Sequence, residues 1–150
     1  MSRRSFRGRQ GLARRAPKKE AYQRLLIVCE GSETEPNYFR GIVTELKLST
    51  ANISILGKDI KNTDPIGVVK AAIQHADEDG DYDQVYCVFD RDGHPSFSQA
   101  ISYIQELNKS NKYSYKIESI HSIPCFEFWI LLHYENTDRN FPSQGELQRH

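Results

Sequence analysis

Two aspartates that directly follow an apolar run are the residues of this sequence best suited to chemistry. Residues 85–89 read V-Y-C-V-F, and Asp90, Arg91, Asp92 and Gly93 come next. Because an extended backbone sends alternate side chains to the same side, Asp90 and Asp92 can face one point in space. Two close carboxylates repel each other unless a cation or a proton lies between them. The spacing therefore favours a divalent metal site of the kind used in phosphoryl chemistry, with a polar turn as the competing interpretation.

Two more acids stand next to or within apolar runs. Glu30 follows the run R-L-L-I-V-C at residues 24–29, and Glu127 interrupts the apolar run at residues 125–134. If the first and third strands are neighbours, Glu30 and the aspartate pair converge at the carboxyl edge of the sheet, and three carboxylates with water suit Mg²⁺. A buried Glu127 needs a metal, a cation or a hydrogen-bond network, and Arg91 is one candidate for an ion-pair partner.

The residues beside these acids are candidate substrate contacts. Gly31 and Gly93 each follow an acid, and a glycine allows the backbone to approach a phosphate closely. Arg91 and His94 belong to the same segment as the aspartate pair and are predicted to contact substrate.

Alternating strands and helices must position these residues. The apolar patterns predict strands at residues 24–29, 52–56, 84–89 and 113–120. Helices are predicted after Glu33, where Ser32 and Glu35 form a capping box or Glu35 itself caps, after Asp64, near Ser96 and within residues 125–134. The last helix is apolar nearly all round and is expected to be buried. This order predicts an α/β fold with an about four-stranded, mainly parallel sheet and helices on both faces, the second strand being peripheral.

The composition is that of an ordinary globular domain. The 150 residues are 38% hydrophobic and 27% charged, which suits a single domain with a real core. No apolar run approaches the roughly 18 residues of a membrane span, so no membrane partner is expected. Three isolated cysteines with apolar neighbours indicate buried, reduced thiols and a cytoplasmic location.

The formal net charge of zero conceals a basic start to the chain. Residues 1–24 carry nine Lys/Arg and one acid, a net of +8, so the remaining residues carry −8. We predict a disordered basic arm at residues 1–23, a folded domain at 24–135 and a polar C-terminal segment at 136–150. The arm is predicted to bind the phosphates of a nucleic acid through Arg3, Arg4, Arg7, Arg9, Arg14, Arg15, Lys18 and Lys19.

Four short blocks in this order resemble the RloB-like family. They are I-V-C-E-G at residues 27–31, T-E-P-N-Y-F at 34–39, F-D-R-D at 89–92 and P-C-F-E-F-W at 124–129, the last followed closely by L-L-H. Each block is weak alone, and their order makes the resemblance specific over about residues 25–134. The basic arm is also typical of that family.

The resemblance implies a Toprim-like domain and a metal-dependent activity. In Toprim enzymes a Glu after the first strand and an Asp-x-Asp after the third hold Mg²⁺ (or Mn²⁺), which maps onto Glu30, Asp90 and Asp92. The resemblance also implies a further catalytic acid, for which Glu127 is the candidate, a role in bacterial abortive infection and an ABC-type ATPase partner. Ile123 departs from the polar residue expected before Pro124. The family tends to continue further, so residues 136–150 are expected to begin a C-terminal part.

Three functions follow as hypotheses. The first is a metal-dependent nuclease that hydrolyses phosphodiester bonds, with RNA (tRNA included) favoured over DNA. The second is a phosphatase of the haloacid dehalogenase type, in which Asp90 is the nucleophile, since F-D-R-D-G also resembles that family's first motif. The third is a non-catalytic adaptor that binds nucleic acid or an ATPase. Formation of a homo-oligomer is left open.

Overall fold

The computed structural model describes residues 23–57, 64–91 and 94–136. The predicted basic arm and the polar C-terminal segment, apart from Gln23 and Asn136, lie outside the described residues. Asp92 and Gly93 lie outside them as well.

A four-stranded, fully parallel sheet forms the centre of the domain. Its strands are β1 (Leu25–Cys29), β2 (Ile53–Leu56), β3 (Gln84–Asp90) and β4 (Lys116–Ser122), in the spatial order β2-β1-β3-β4. The predicted α/β class is confirmed, and so is the peripheral position of the second strand. β1 and β3 are the two central strands, so each must be apolar on both faces, which explains their nearly continuous hydrophobic runs.

Four helices in the described part of the chain cover the two faces of the sheet. They are α1 (Thr34–Glu45), α2 (Pro65–Asp79), α3 (Phe97–Ser110) and α4 (Phe126–Leu131). Side chains of α2 and α3 form the larger apolar core with one face, and side chains of α1 and α4 form a smaller core with the other. Successive residues of β1 alternate between the two cores: Leu26 and Val28 enter the first, Ile27 and Cys29 the second. Each such buried aliphatic side chain stabilises the fold by about 1.5–3 kcal/mol.

The start of α2 follows its local sequence. Asp64 is the N-cap, its carboxylate accepts a hydrogen bond from the Gly67 N–H at 3.2 Å, and Pro65 occupies the first helical position. The helix ends at Asp79, before Gly80 with a positive φ of 61°. The predicted start after Asp64 is confirmed.

β4 begins later than its sequence pattern predicts. The alternation starts at Tyr113, but the strand starts at Lys116, which pairs in register with Gln84. Tyr115 is buried in the larger core and its hydroxyl donates to Asp77 of α2 at 3.1 Å, while Tyr113 stacks on it. Tertiary packing therefore holds the two tyrosines in the connection that precedes the strand.

The prediction of a buried last helix was wrong. α4 is only six residues long, and Phe126 is its buried residue, whereas Trp129 is 47% exposed. Among the described residues, β4 is an edge strand of the sheet, and α4 packs against β4 and α1. Leu132 and Tyr134, which continue the apolar run, lie exposed in the turn after the helix.

The three cysteines Cys29, Cys87 and Cys125 are free and buried, as predicted. No helix of the described residues is both long and apolar enough to cross a membrane.

Candidate active site

Glu30 and Asp90 lie side by side at the carboxyl edge of the sheet. β1 and β3 are hydrogen-bonded neighbours with Cys29 opposite Val88, and the Asp90 N–H donates to Glu30 Oε2 at 2.9 Å. From β1 the chain turns towards β2, and from β3 it turns towards β4, so the two acids flank the point at which the strand order diverges. Ligands of open parallel sheets bind at such a point. The predicted convergence is confirmed for these two acids, and Asp92 lies outside the described residues.

Asp90 is held against the start of α4. The Phe126 N–H, the first of that helix, donates to the Asp90 carboxylate. Burial raises the pKa of Asp90 to about 7, and repulsion from Glu35, Glu30 and Glu127 adds to the rise. The arrangement therefore gathers carboxylates from the end of one neighbouring strand and from two helices around one aspartate.

Glu35 is the acid that sequence reasoning placed in the wrong role. It is 7% exposed and is the buried charged residue of the described chain. The N-cap of α1 is Glu33, so neither the predicted capping box nor a Glu35 cap forms. The Glu35 carboxylate instead accepts hydrogen bonds from its own N–H and from that of Gly31, and burial raises its pKa, with Glu127 adding to the rise.

The position of Glu35 also explains the glycine that follows Glu30. A Cβ on Gly31 would overlap the Glu35 carboxylate. The sequence contained a signal for the position of Glu35 but not for its burial, because a helix that follows a parallel strand begins at the carboxyl edge of the sheet. An acid in its first turn stays beside the acid that ends the strand.

Glu127 reaches the same cluster from α4. It is half-buried, and the Cys125 thiol donates a hydrogen bond to its carboxylate. Burial raises the pKa of the Cys125 thiol to about 11, and the carboxylates of Glu127 and Asp90 contribute to the rise. Arg91, considered as an ion-pair partner for Glu127, is exposed and places its guanidinium 5.9 Å from the Phe97 ring centre.

Glu30 faces a second set of groups at the start of α2. Burial raises the pKa of Glu30, and the carboxylates of Glu35 and Asp64 add to the rise. The hydrogen bond from the Asp90 N–H and the charge of His94 lower this pKa. His94 is exposed and lies near enough to act on Glu30. Its predicted contact with substrate, like that of Arg91, stays a prediction.

The carboxylate oxygens of the cluster are ligands of the type that a hard divalent cation prefers. Among residues 23–57, 64–91 and 94–136, no three His, Cys, Asp or Glu side chains are grouped tightly enough to enclose a metal ion. The carboxylates of Glu30, Glu35, Asp90 and Glu127 nevertheless act on one another's ionisation. Oxygen donors that repel one another are the groups that Mg²⁺ or Mn²⁺ stabilises. Glu30 and Asp90 are the described residues that would hold such an ion.

A parallel four-stranded sheet, helices on both faces and acids at the strand divergence define an α/β protein consistent with a Toprim-like fold. The family model described as RloB-like protein matches residues 25–150. The chain belongs to the RloB-like protein family, which confirms the resemblance of its four sequence blocks. No curated protein and no solved structure gives a significant match.

Proposed function

We propose that this protein is a metal-dependent nuclease that hydrolyses phosphodiester bonds. The observation that carries the proposal is the environment of Asp90. Its carboxyl is placed by the Phe126 N–H, lies beside Glu30, Glu35 and Glu127, and has its pKa raised to about 7 by burial and by these acids. A cluster that disfavours its own ionisation is suited to a cation, and a cation there suits a phosphodiester substrate.

The acids of the cluster have different proposed roles, as metal ligands or as proton acceptors. A bound divalent metal would supply charge stabilisation for the scissile phosphate and lower the pKa of a water molecule. Asp90 and Glu30 offer oxygen ligands, with Asp92 as the third by its place in the sequence. Glu35 and Glu127 approach from two helices, and an acid outside the coordination shell can accept a proton from the attacking water. The Phe126 N–H and the Asp90 N–H hold the Asp90 and Glu30 side chains at the edge of the sheet.

The substrate and biological role rest on the family. Toprim-like relatives act on nucleic acid, and we propose RNA, with tRNA as the first candidate, ahead of DNA. The proposal includes an anti-phage effector role beside an ABC-type ATPase partner. The basic arm of residues 1–23, with eight Lys/Arg, would supply affinity for phosphates that is independent of sequence.

A cleavage assay tests the activity. RNA, tRNA and DNA are incubated with the purified chain and Mg²⁺ or Mn²⁺, with EDTA as the metal-free reference. We expect Glu30→Gln and Asp90→Asn to lower the rate roughly 100-fold or more, because several kcal/mol of metal charge stabilisation depend on these ligands and each 1.36 kcal/mol is tenfold. Glu35→Gln and Glu127→Gln should give losses as well.

Two exposed acids provide matched controls. Glu106→Gln on α3 and Asp81→Asn after α2 make the same chemical changes away from the cluster and should leave cleavage unchanged. Unchanged cleavage by Glu30→Gln would refute the proposed metal site. A phosphatase of the haloacid dehalogenase type would instead release phosphate from a monoester, depend on Asp90 and Asp92, and tolerate Glu127→Gln.

A further inference from the structure

An apolar groove of about 480 Å³ lies next to the acid cluster, between α1, α4 and the end of β4. Its described lining includes Tyr38, Phe39, Phe128 and Trp129. Ser122 of β4 also lines it, and Ser122 is the residue that pairs with Asp90 in the sheet. The groove therefore begins one strand away from the proposed catalytic acids, a spacing of about 4.8 Å.

One short segment of the chain contributes residues both to the groove and to the contacts of the acid cluster. Phe126 lines the groove with its side chain, while its N–H donates to the Asp90 carboxylate. Cys125 lines the groove and its thiol donates to Glu127. A ligand in the groove is thus placed by the same short segment that positions the acids.

The lining chemistry indicates a flat, uncharged ligand. None of the described lining residues is Lys, Arg, Asp or Glu, so the groove offers no fixed charge for a phosphate or for an acidic side chain. His121 and Ser122 provide a few polar atoms among aromatic and aliphatic ones. A pocket that is mainly apolar, with a small number of polar groups, binds a ring system and orients it.

The exposed tryptophan of the groove is held in place before any ligand arrives. The Trp129 indole N–H donates to Tyr38 Oη at 3.0 Å, and Tyr38 Oη lies 3.2 Å from His133 Nε2. The side chain remains 47% exposed in spite of these contacts. Because its rotamer is already fixed, a ligand that stacks on it loses little additional conformational entropy.

We propose that this groove binds an unpaired nucleobase of a single-stranded polynucleotide whose backbone crosses the acid cluster. The inference rests on the proposed nuclease function and gives it a substrate class. Unstacked bases bind to aromatic side chains through their faces, whereas bases inside a duplex cannot reach such a groove. The neutral base occupies the apolar groove, and the charged phosphate lies at the acids where a cation would be held.

Because the chain contains a single tryptophan, its fluorescence reports on the groove directly. Ten-nucleotide single-stranded RNA and DNA, the same sequences as duplexes, and an abasic oligonucleotide of equal charge are titrated in EDTA, so that binding is measured without cleavage. We expect saturable quenching by single strands and little quenching by duplex or abasic strands. RNA and DNA arms distinguish the two polynucleotides, and equal quenching by the abasic strand would overturn the proposal.

Variants then test the stacking itself by anisotropy of labelled single strands. Trp129→Ala should weaken binding about tenfold, the scale of one base stacked on an aromatic ring, while Trp129→Phe should retain most of the affinity. Leu46→Ala is the matched control, since Leu46 is 64% exposed at the end of α1 and does not line the groove. Thermal unfolding of each variant separates loss of binding from loss of fold.

Two outcomes would assign the groove to something else. If Trp129→Ala leaves oligonucleotide affinity unchanged but alters the mass measured by light scattering, the groove is a protein interface and the proposal fails. The nuclease proposal is judged separately. Base-dependent binding without metal-dependent cleavage refutes the nuclease alone, and cleavage without base-dependent binding refutes the groove alone.

Discussion

At the scale of single residues, Asp90 connects the sheet, two helices and the proposed chemistry. It ends β3, its N–H holds Glu30, and its carboxylate accepts the first N–H of α4. Because the same carboxylate is surrounded by other acids, its ionisation opposes folding. A site of this kind lowers the stability of the folded protein for the sake of its function. A bound cation can restore that stability.

The ionisation of Asp90 gives a stability prediction with a defined sign. Its pKa is about 7 in the folded chain against an ordinary value of 3.8, so the folded state binds more protons between these values and stability falls as the pH rises through them. We expect Asp90→Asn in EDTA to raise the free energy of unfolding at pH 7.5 by roughly 1–3 kcal/mol. At pH 4.5 the gain should shrink, because Asp90 is then largely protonated. Urea denaturation at the two pH values measures both.

The exposed Asp81→Asn makes the same chemical change away from the acid cluster and is the control for that measurement. Mg²⁺ should raise the melting temperature of the wild-type protein and leave that of Asp90→Asn nearly unchanged. An equal effect of Asp90→Asn at pH 4.5 and 7.5 would mean that the carboxyl ionises normally in the folded chain.

At the scale of elements, the starts of α2 and α3 are joined through one carboxylate. Asp64 caps α2 through the Gly67 N–H, and its other oxygen accepts from the Ser96 hydroxyl at 2.9 Å, just before α3 begins. Both helix starts lie at the carboxyl edge of the sheet, on the side of Glu30. The edge that holds the acids is therefore supported by a hydrogen bond between two connecting segments.

We expect Asp64→Ala to lower the free energy of unfolding by about 1–2 kcal/mol, because the cap and the link to Ser96 are lost together. Asp64→Asn should lose much less, since its amide oxygen can still accept from Gly67 and its amide can still bond Ser96. Chemical denaturation of the two variants and of Ser96→Ala measures how much the helix cap and the hydrogen bond to Ser96 each contribute to the free energy of unfolding. Equal losses in Asp64→Ala and Asp64→Asn would attribute the effect to charge at the helix start and not to the cap.

The two edges of the sheet differ in how they are covered. β2 packs against α1, its four residues are partly buried, and a Cβ on Gly57 after it would lie 2.6 Å from the Gly31 carbonyl oxygen. At β4, the exposed fraction of Ile123 is 56% and Trp129 is half-exposed. An exposed apolar surface next to a cluster of acids is where a ligand or a partner gains most from burial.

At the scale of the whole molecule, the start of the chain and the acid cluster carry opposite charges. Residues 1–20 carry eight Lys/Arg and one acid, a net of +7, while the carboxyl edge of the sheet gathers acids. The proposed polynucleotide substrate would be attracted by the first and repelled by the second until a cation is bound. Metal binding and substrate binding are therefore expected to depend on each other.

Deletion of residues 1–20 should flatten the salt dependence of nucleic-acid binding. Each single-strand phosphate contact contributes a slope of about −0.7 to log K against log salt concentration, so several lost contacts give a clear change. Filter binding or anisotropy measures this slope between roughly 50 and 300 mM salt, the range over which the affinity changes strongly. A full-length arm with its eight Lys/Arg changed to Gln should behave like the deletion, and a wild-type slope in both would show that the arm does not contact phosphate.

The sequence alone was sufficient for the architecture and for three of the four described acids of the cluster, Glu30, Asp90 and Glu127. Central strands of a parallel sheet are apolar on both faces, so β1 and β3 were evident, and the acids that end them, Glu30 and Asp90, had to meet if the strands were neighbours. Asp64 as the cap of α2 was equally readable, because capping is decided within one turn of chain. These features depend on local pattern and on short-range geometry.

Only the tertiary structure decided the rest, because it depends on which groups exclude water from one another. The sequence around Glu35 is typical of a helix cap, but Glu35 is the buried acid of the cluster. The reason is that the first turn of α1 places the Glu35 carboxylate against Gly31 and near Asp90. Trp129 belongs to a run that is typical of a core, yet it lies half-exposed in a groove between α1, α4 and the edge strand β4 of the described sheet. Burial is a property of the neighbours that the fold brings, and no local pattern contains them.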